Sequence, residues 1–346
     1  MRAKRGNRCG RVSRRGAEAK PPWSAVPREI KDEVALILGS PVARASRVYG
    51  GYAPSATFRM VLDDGRPAFF KGVNAKSNDY MRGALPREER VYRELGGYIH
   101  PWAPAFLGSF KRLDWHVLLL EDVGPQTMPP WSPVKARRSA RSFATFHAST
   151  HGRPLPRWLS RTEHHDFARI WRNLSESGEL AETAALARRH SDDAREWLDV
   201  ALPVLRENAE RLVRLRAPHS LLHFDTRSDN TRLQGERLRM FDWNFASVGP
   251  HEIDAAAFAQ ATETEGGPSA ERTLAWYAEV LPLREPHLDA SVAGIAGYFA
   301  DKAWRPPIPG VPRVRSFQRA QLKVSLAWAA RRFALPNPTW LAAVAD

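Results

Sequence analysis

Between Ser24 and Ser40 apolar side chains recur at Ile30, Val34, Leu36 and Ile37 among charged neighbours, and a Gly-Ser pair closes the run. That spacing predicts one helix. Three alternating segments follow, "ARASRVY", "SATFRMVL" and "PAFFKGV", separated by "GGYAPS" and by "DDGR". Alternation is the mark of strands, and an Asp-Asp-Gly turn between two of them predicts a hairpin. "LPREERVYREL" then returns to helical spacing at Leu85, Val91, Tyr92 and Leu95, with a proline at the expected helix start. "AFLGSFKRL" and "WHVLLLEDV" read as two more strands around a turn near Asp114.

Past residue 132 the pattern changes to long helices, predicted over Pro133–Ser149, Asp166–Ser175, Ser191–Leu215, Ala270–Val280, His287–Ala303 and Ser316–Phe333. One strand-rich stretch, Leu221–Asn244, interrupts them, and the proline-rich "RPPIPGVPRVR" precedes the last helix. No internal repeat is visible. The expectation is an α+β chain in two lobes: residues 23–124 as a small antiparallel sheet with one helix, residues 125–346 as a larger, mostly helical lobe, and a joint near Gly124–Pro130.

Composition changes this picture only at the N-terminus. The 346 residues are 43% hydrophobic, ample for a packed core. Of the net charge of +14, half falls in residues 1–30, where nine Lys/Arg oppose Glu18 and Glu29. Residues 1–22 therefore read as a solvated basic tail, able to touch nucleic acid or another acidic surface. The remainder is mildly basic, which does not imply a nucleic-acid enzyme. A single cysteine, Cys9, allows no internal disulfide framework, and no apolar run approaches a membrane span. No apolar segment follows Arg14 and Arg15, so no secretory signal is read and a cytoplasmic protein is expected.

The chemistry concentrates in "LLHFDTRSDNTRLQGERLRMFDWN". Asp225 and Asn230 lie five apart, and Asp242 follows a hairpin whose turn is "QGER". A hairpin returns the chain to its start, so Asp242 is expected beside Asn230. Carboxylate and amide oxygens suit Mg²⁺, a hard cation. Asp225 is then left to accept a proton from a hydroxyl, and phosphoryl transfer needs both parts. Taken alone, Asp225, Asp229 and Asn230 are equally ordinary turn formers.

These residues resemble the signature of the aminoglycoside phosphotransferase and choline kinase-like family. Other segments agree in order over roughly residues 40–335: "LLLEDVG" is similar to its interlobe hinge, "RSFATFHAST" to its "L-A-x-L-H-A" helix, and "GPHEIDAAAFA" to the segment after its metal-binding Asp. The resemblance implies the bilobal protein-kinase-like fold and a kinase that moves the γ-phosphate of ATP or GTP to a hydroxyl of a small molecule. It implies Asp225 as base or orienter, Arg227 beside the transferred phosphate, and His223 and Asp254 bracing the catalytic loop. Mg²⁺ would sit on Asn230 and Asp242. Nucleotide contacts would come from Gly50, Gly51 and Ser55, from Lys71 paired with Glu88 (Glu89 being its rival), and from hinge backbone at Glu121 and Val123.

Some positions depart from the family pattern. Phe224 stands where Gly is frequent, Ser228 where Pro is, and Asn244 where an acid is. His147 and His151 are spaced like zinc ligands but lack the Glu of H-E-x-x-H, and "EHHDF" opens a helix, where capping accounts for Asp166. For a cationic acceptor, Glu252, Glu263, Glu265 and Trp243 are the available surroundings, although "ETEGG" reads equally as a solvated helix end. The alternatives are a catalytically silent nucleotide-binding regulator and a nucleic-acid-associated protein using the basic tail.

Overall fold

The computed structural model describes residues 20–49, 55–74, 79–162 and 166–345. Gly50, Gly51 and the first nineteen residues of the tail lie outside the described residues.

Five strands form the small lobe's sheet: β1 (Val42–Arg47), β2 (Ala56–Leu62), β3 (Pro67–Asn74), β4 (Phe106–Arg112) and β5 (Trp115–Leu120), all antiparallel in the order β1-β2-β3-β5-β4. Two helices sandwich it. Helix α1 (Arg28–Leu38) ends at Gly39, whose φ of 72° is a left-handed cap. It buries Ile30, Val34 and Leu38 against Phe58, Phe70, Val117 and Leu119. Helix α2 (Asp79–Ile99) packs Leu85, Val91, Tyr92 and Leu95 with Val73, Leu118 and Leu120. Alternate residues of β5 thus feed opposite faces, which is why that strand is apolar throughout. The helix expected to begin at Leu85 begins six residues earlier, with Pro86 inside it. The prolines at the tail's end are followed by a short 3₁₀ turn, and Lys20 is itself buried, donating to Thr57 Oγ1 at 2.9 Å.

The chain crosses to the large lobe through residues 121–132. Helix α3 (Pro133–Thr150) starts with Ser132 accepting from the Lys135 amide and Pro133 in the first turn. There follow β6 (Ser160–Arg161), α4 (Ile170–Glu176), α5 (Leu180–Ala185), α6 (Ser191–Glu210), β7 (Ser220–Leu222), the hairpin β8 (Thr231–Gln234) and β9 (Arg237–Met240), β10 (Ser247–Gly249), α7 (His251–Thr264), α8 (Ala270–Ala278), α9 (Glu285–Lys302) and α10 (Val314–Arg332). Two predicted helices are shorter than expected: Asp166–Ala168 is a separate 3₁₀ turn before α4, and Arg211–Arg214 leaves α6 as another. Strands β6, β10 and β7 form a small sheet that joins the stretch Leu221–Asn244 to α7. Helix α9 runs through the lobe's centre, and its Gly297 lets α4 approach: an added Cβ there would lie 2.2 Å from Ile170 Cγ2.

Candidate active site

Lys71 is the fourth residue from the C-terminal end of β3. Its position on a strand buried on both faces would strand an ammonium without partners. It has two: Nζ lies 2.5 Å from Glu88 Oε2 on α2 and 2.7 Å from Asp242 Oδ1 after β9. Burial works against the Lys71 charge, but Asp242 and then Glu88 outweigh it and raise its pKa. Burial pushes Glu88 up to about 6 despite the attraction of Lys71, whereas for Asp242 the same burial is overcome by Lys71 and the carboxyl is held low. Glu88 also accepts from the Asp242 amide at 3.2 Å, so one carboxylate fixes both the lysine and the backbone that bears its other partner. Glu89 faces the other way, bonded to Arg93, Ser109 and His116. The rivalry between the two acids is settled by helix phase: successive residues on α2 point about 100° apart.

The hairpin does what its sequence implies. Thr231 pairs with Met240, and the Phe241 amide donates to the Asn230 carbonyl at 3.0 Å, so Asp242 is carried back next to Asn230. Asp242 has a φ of 68°, a left-handed conformation that an Asp tolerates. The Asn230 amide is turned towards Asp225: Nδ2 donates to its Oδ2 at 2.8 Å and to its carbonyl at 3.0 Å. That leaves Asn230 Oδ1 without a hydrogen bond from the described residues. Among the described residues no group of three or more His, Cys, Asp and Glu side chains forms a metal site. Asn230 Oδ1 and the Asp242 carboxylate are nevertheless hard oxygen donors of the kind Mg²⁺ takes when substrate phosphates and water complete its shell.

Asp225 is not left free. Arg227 Nε meets its Oδ1 at 2.8 Å and Nη2 its Oδ2 at 3.1 Å, a bidentate clamp from two residues along the same loop. Arg227 Nη2 is also 3.5 Å from Asp229. Asp229 lies in the expected turn, but it is no solvated turn former. Its Oδ2 is buried without a hydrogen bond, and burial raises its pKa.

His223 is fully buried and its ring is committed at both nitrogens. Nε2 lies 3.0 Å from the Phe241 carbonyl, and Nδ1 accepts from the Asp225 amide at 3.3 Å. Burial lowers its pKa. A neutral ring protonated on Nε2 satisfies both contacts, and such a ring braces the loop rather than moving protons. Asp254, at the first turn of α7, accepts from the amides of His223 at 2.7 Å and Phe224 at 2.9 Å. The loop needs that support because Phe224 has a φ of 66°. His147 joins the same network, its two nitrogens 2.7 Å from the Tyr277 hydroxyl and 3.3 Å from Asp254. His151 instead meets Ser220 Oγ at 3.1 Å.

Between the lobes, the Glu121 side chain accepts from the Ala105 amide and from Arg239, and Val123 gives its carbonyl to Gln234 at 2.9 Å. The Glu121 carbonyl and Val123 amide take no hydrogen bond from the described residues, which leaves an acceptor and a donor two residues apart. Asp122 is clamped by Arg59 of β2 at 2.8 Å, a contact between residues 63 apart that no local spacing signals. Ser55 is buried at the start of β2.

The acids considered for a cationic acceptor are all employed elsewhere. Glu252 is fully buried against Arg284, Glu263 accepts from the Ala270 amide, and Glu265 accepts from Ser228 and Trp131. Trp243 is core, its indole donating to the Met240 carbonyl.

Lys71 is thus held between a helix glutamate and an aspartate of the opposite lobe, and the hairpin sets that aspartate next to Asn230. Residues 46–287 match the phosphotransferase enzyme family, and the chain belongs to it. It is a phosphotransferase on the kinase-like fold of the small-molecule kinases. No curated protein matches it in sequence. Among solved structures it is similar to a putative fructosamine-3-kinase from Haemophilus somnus 129PT, with 16% identity, 85% of this chain and 96% of that one covered and a TM-score of 0.52. It is also similar to spectinomycin phosphotransferase APH(9)-Ia in complex with ADP and spectinomycin, with 13% identity, coverage of 88% and 98% and a TM-score of 0.56. The amicoumacin kinase hAmiN with AMP-PNP and Ca²⁺ has 11% identity, coverage of 87% and 93% and a TM-score of 0.51. Such identities speak for the fold. No helix among the described residues is long and apolar enough to cross a membrane.

Proposed function

We propose that the protein transfers the γ-phosphate of ATP or GTP to a hydroxyl of a small molecule. The observation that carries this reading is the Lys71 ammonium fixed between Glu88 and Asp242, with Asp225 and Asn230 brought alongside by the β8–β9 hairpin. Lys71 contacts the nucleotide phosphates, and the Glu121 carbonyl and Val123 amide meet the edge of the base. Asn230 Oδ1 and the Asp242 carboxylate would hold Mg²⁺, whose charge neutralises the phosphates in transfer. Asp225 orients the acceptor hydroxyl and takes its proton. Arg227, now clamping Asp225, also lies where it can steady the charge on the moving phosphate. Nucleotides in the similar ADP and AMP-PNP complexes, and Ca²⁺ in one of them, support a nucleotide and a divalent cation as partners here.

Nucleotide consumption over a panel of hydroxylated acceptors tests this, with Asp225→Asn as control. Loss of the base is expected to cost about 10²–10⁴-fold in kcat. Turnover undiminished in that variant overturns the assignment of the base. Absence of both turnover and Mg-nucleotide binding overturns the reading as a whole.

A further inference from the structure

The hairpin that returns Asp242 to Asn230 also lies directly under the segment joining the lobes. Leu233 of β8 donates its amide to Thr127 Oγ1, and the Gln234 side chain donates to the Val123 carbonyl, each at 2.9 Å. Residues directly opposite on a two-stranded ladder share a face, and successive pairs take opposite faces. The pairs Thr231–Met240 and Leu233–Leu238 turn into the large lobe, where Leu238 and Met240 are fully buried in its core. The pair between them, Arg232 and Arg239, therefore faces the small lobe. Arg239 reaches it, with Nη2 2.6 Å from Glu121 and 3.1 Å from the Ala103 carbonyl. On the small-lobe side, Phe69 lies two residues before Lys71 on β3 and so on the same face of the sheet, paired with Arg59 of β2.

Arg59 is spent on Asp122, and Arg239 gives Nη1 to Gln234 and Nη2 to the contacts above. Arg232 is only half spent. Its side chain is buried, with 8% of the residue exposed, and its guanidinium lies 4.9 Å from the ring centroid of Phe241, the residue before Asp242. Nη1 donates to the carbonyls of Ser228, Asp229 and Thr231. Nε is buried without a hydrogen bond, and Nη2 makes none to the described residues. Burial lowers the Arg232 pKa to about 10. A buried charged donor without an acceptor is costly, and an acceptor on a bound molecule removes that cost. The Nε and Nη2 hydrogens of one guanidinium point the same way, as Arg227 shows on the two oxygens of Asp225. The open edge of Arg232 is thus shaped for two neighbouring acceptors.

We infer that Arg232 selects the base of the phosphate donor, gripping O6 and N7 of guanine through Nε and Nη2, so that the donor is GTP and not ATP. The inference rests on the phosphotransferase reading above and names the nucleotide of that same site. Guanine presents O6 and N7 as adjacent acceptors. Adenine keeps N7 but carries an amino group where O6 stands, which sets a donor against a donor. Phe241 and the three carbonyls on Nη1 hold the guanidinium in place, so little ordering is needed when the base arrives.

Calorimetry on the full chain with Mg²⁺ and GDP, ADP, IDP or 7-deaza-GDP tests it. GDP is expected to bind about tenfold more tightly than ADP. IDP, which keeps O6 and N7 and lacks only the 2-amino group, should stay within about threefold of GDP, whereas 7-deaza-GDP, which lacks N7, should lose most of the GDP advantage. Arg232→Leu should shrink the ratio of GDP to ADP affinity to about twofold, a change in selectivity that a merely structural role for Arg232 would not give. If that variant fails to fold, the four nucleotides on the wild type decide the matter alone. Equal affinities for GDP and ADP, tighter ADP, 7-deaza-GDP as tight as GDP, or an undiminished ratio in the variant overturns the inference. Binding of none of the four overturns the phosphotransferase reading instead, and binding in the wrong order overturns the choice of donor alone.

Discussion

At the scale of single residues, the site depends on who occupies each charge. Glu88 and Glu89 are adjacent and chemically identical, yet only Glu88 reaches Lys71, at 2.5 Å. Glu88→Gln is expected to lower turnover by about 10²-fold, because it removes a fixed charge from the phosphate grip. Glu89→Gln, which loses contacts to Arg93 and His116 instead, should change kcat by less than about threefold. Steady-state kinetics of both variants decide the point, and the opposite ranking contradicts the geometry. The pH dependence follows from the same carboxyl, whose pKa burial raises from 4.5 to about 6. Below about 6 Glu88 takes up a proton and the Lys71 pair is weakened, so Mg-nucleotide affinity should fall on the acid side of that value. Its effect on folding runs the other way. A raised carboxyl pKa favours the folded state fully below 4.5, and that contribution is lost as pH rises through about 6. Titrating nucleotide binding in the wild type and in Glu88→Gln, where the acid limb should vanish, checks the assignment.

At the scale of elements, helices α7 and α9 pack against the loop proposed to be catalytic, through Ile253 and Ala290 beside Leu222 and Phe224. Glu252 in the first turn of α7 is fully buried and receives Nε and Nη2 of Arg284 at 2.8 and 3.0 Å, as well as the Arg284 amide at 3.0 Å. Burial alone would raise this carboxyl, but the Arg284 hydrogen bonds and the charge of His251 bring it down from 4.5 to about 2. Its stabilising contribution is therefore complete above 4.5 and disappears as pH falls towards about 2. Arg284→Ala leaves the carboxylate buried and unpaired and should cost about 3 kcal/mol in denaturant unfolding at neutral pH. A loss below about 1 kcal/mol would show that the pair is replaceable by solvent. Gly297 makes a second element-scale case. Its added Cβ would also come within 2.9 Å of Trp171 Nε1, so Gly297→Ala should destabilise by about 1–3 kcal/mol, readable as a shift in denaturant midpoint with an unchanged slope.

At the scale of the whole molecule, the two lobes share one apolar cluster, in which Leu85, Tyr92 and Leu95 of α2 join Phe146 and Trp243, and polar contacts cross the same junction: Lys71 with Asp242, Glu88 with the Asp242 amide, Arg239 with Glu121, and the Met240 amide with the Trp102 carbonyl at 2.6 Å. A ligand seated across this junction binds the folded state alone. Mg-nucleotide at a hundredfold excess over its Kd should therefore add about 2.7 kcal/mol to stability. Lys71→Met should abolish that gain while leaving the ligand-free protein folded, which thermal melts with and without nucleotide would show. An undiminished shift in the variant would remove Lys71 from the nucleotide contacts.

Alternation and helical spacing marked the five sheet strands and most long helices, because burial on one face imposes period two or about 3.6 directly on the order of residues. The start of α2 escaped, since a proline in a helix reads as a beginning when only neighbours are considered. Strands β6 and β10 escaped too, being two and three residues long and defined by partners far along the chain. The candidate site divides along the same line. His223, Asp225, Asn230 and Asp242 were legible, for they lie on one loop and one hairpin, and local turn chemistry places them. The choice of Glu88 over Glu89, the clamp of Arg227 on Asp225 and the burial of Asp229 were not. Each depends on which side chains from distant elements meet in a water-poor space, and charges compete there through distance and burial, quantities that no linear spacing contains. The sequence by itself thus determined which chemistry the chain carries; the tertiary structure decided which charges are already satisfied, and so which remain for a ligand.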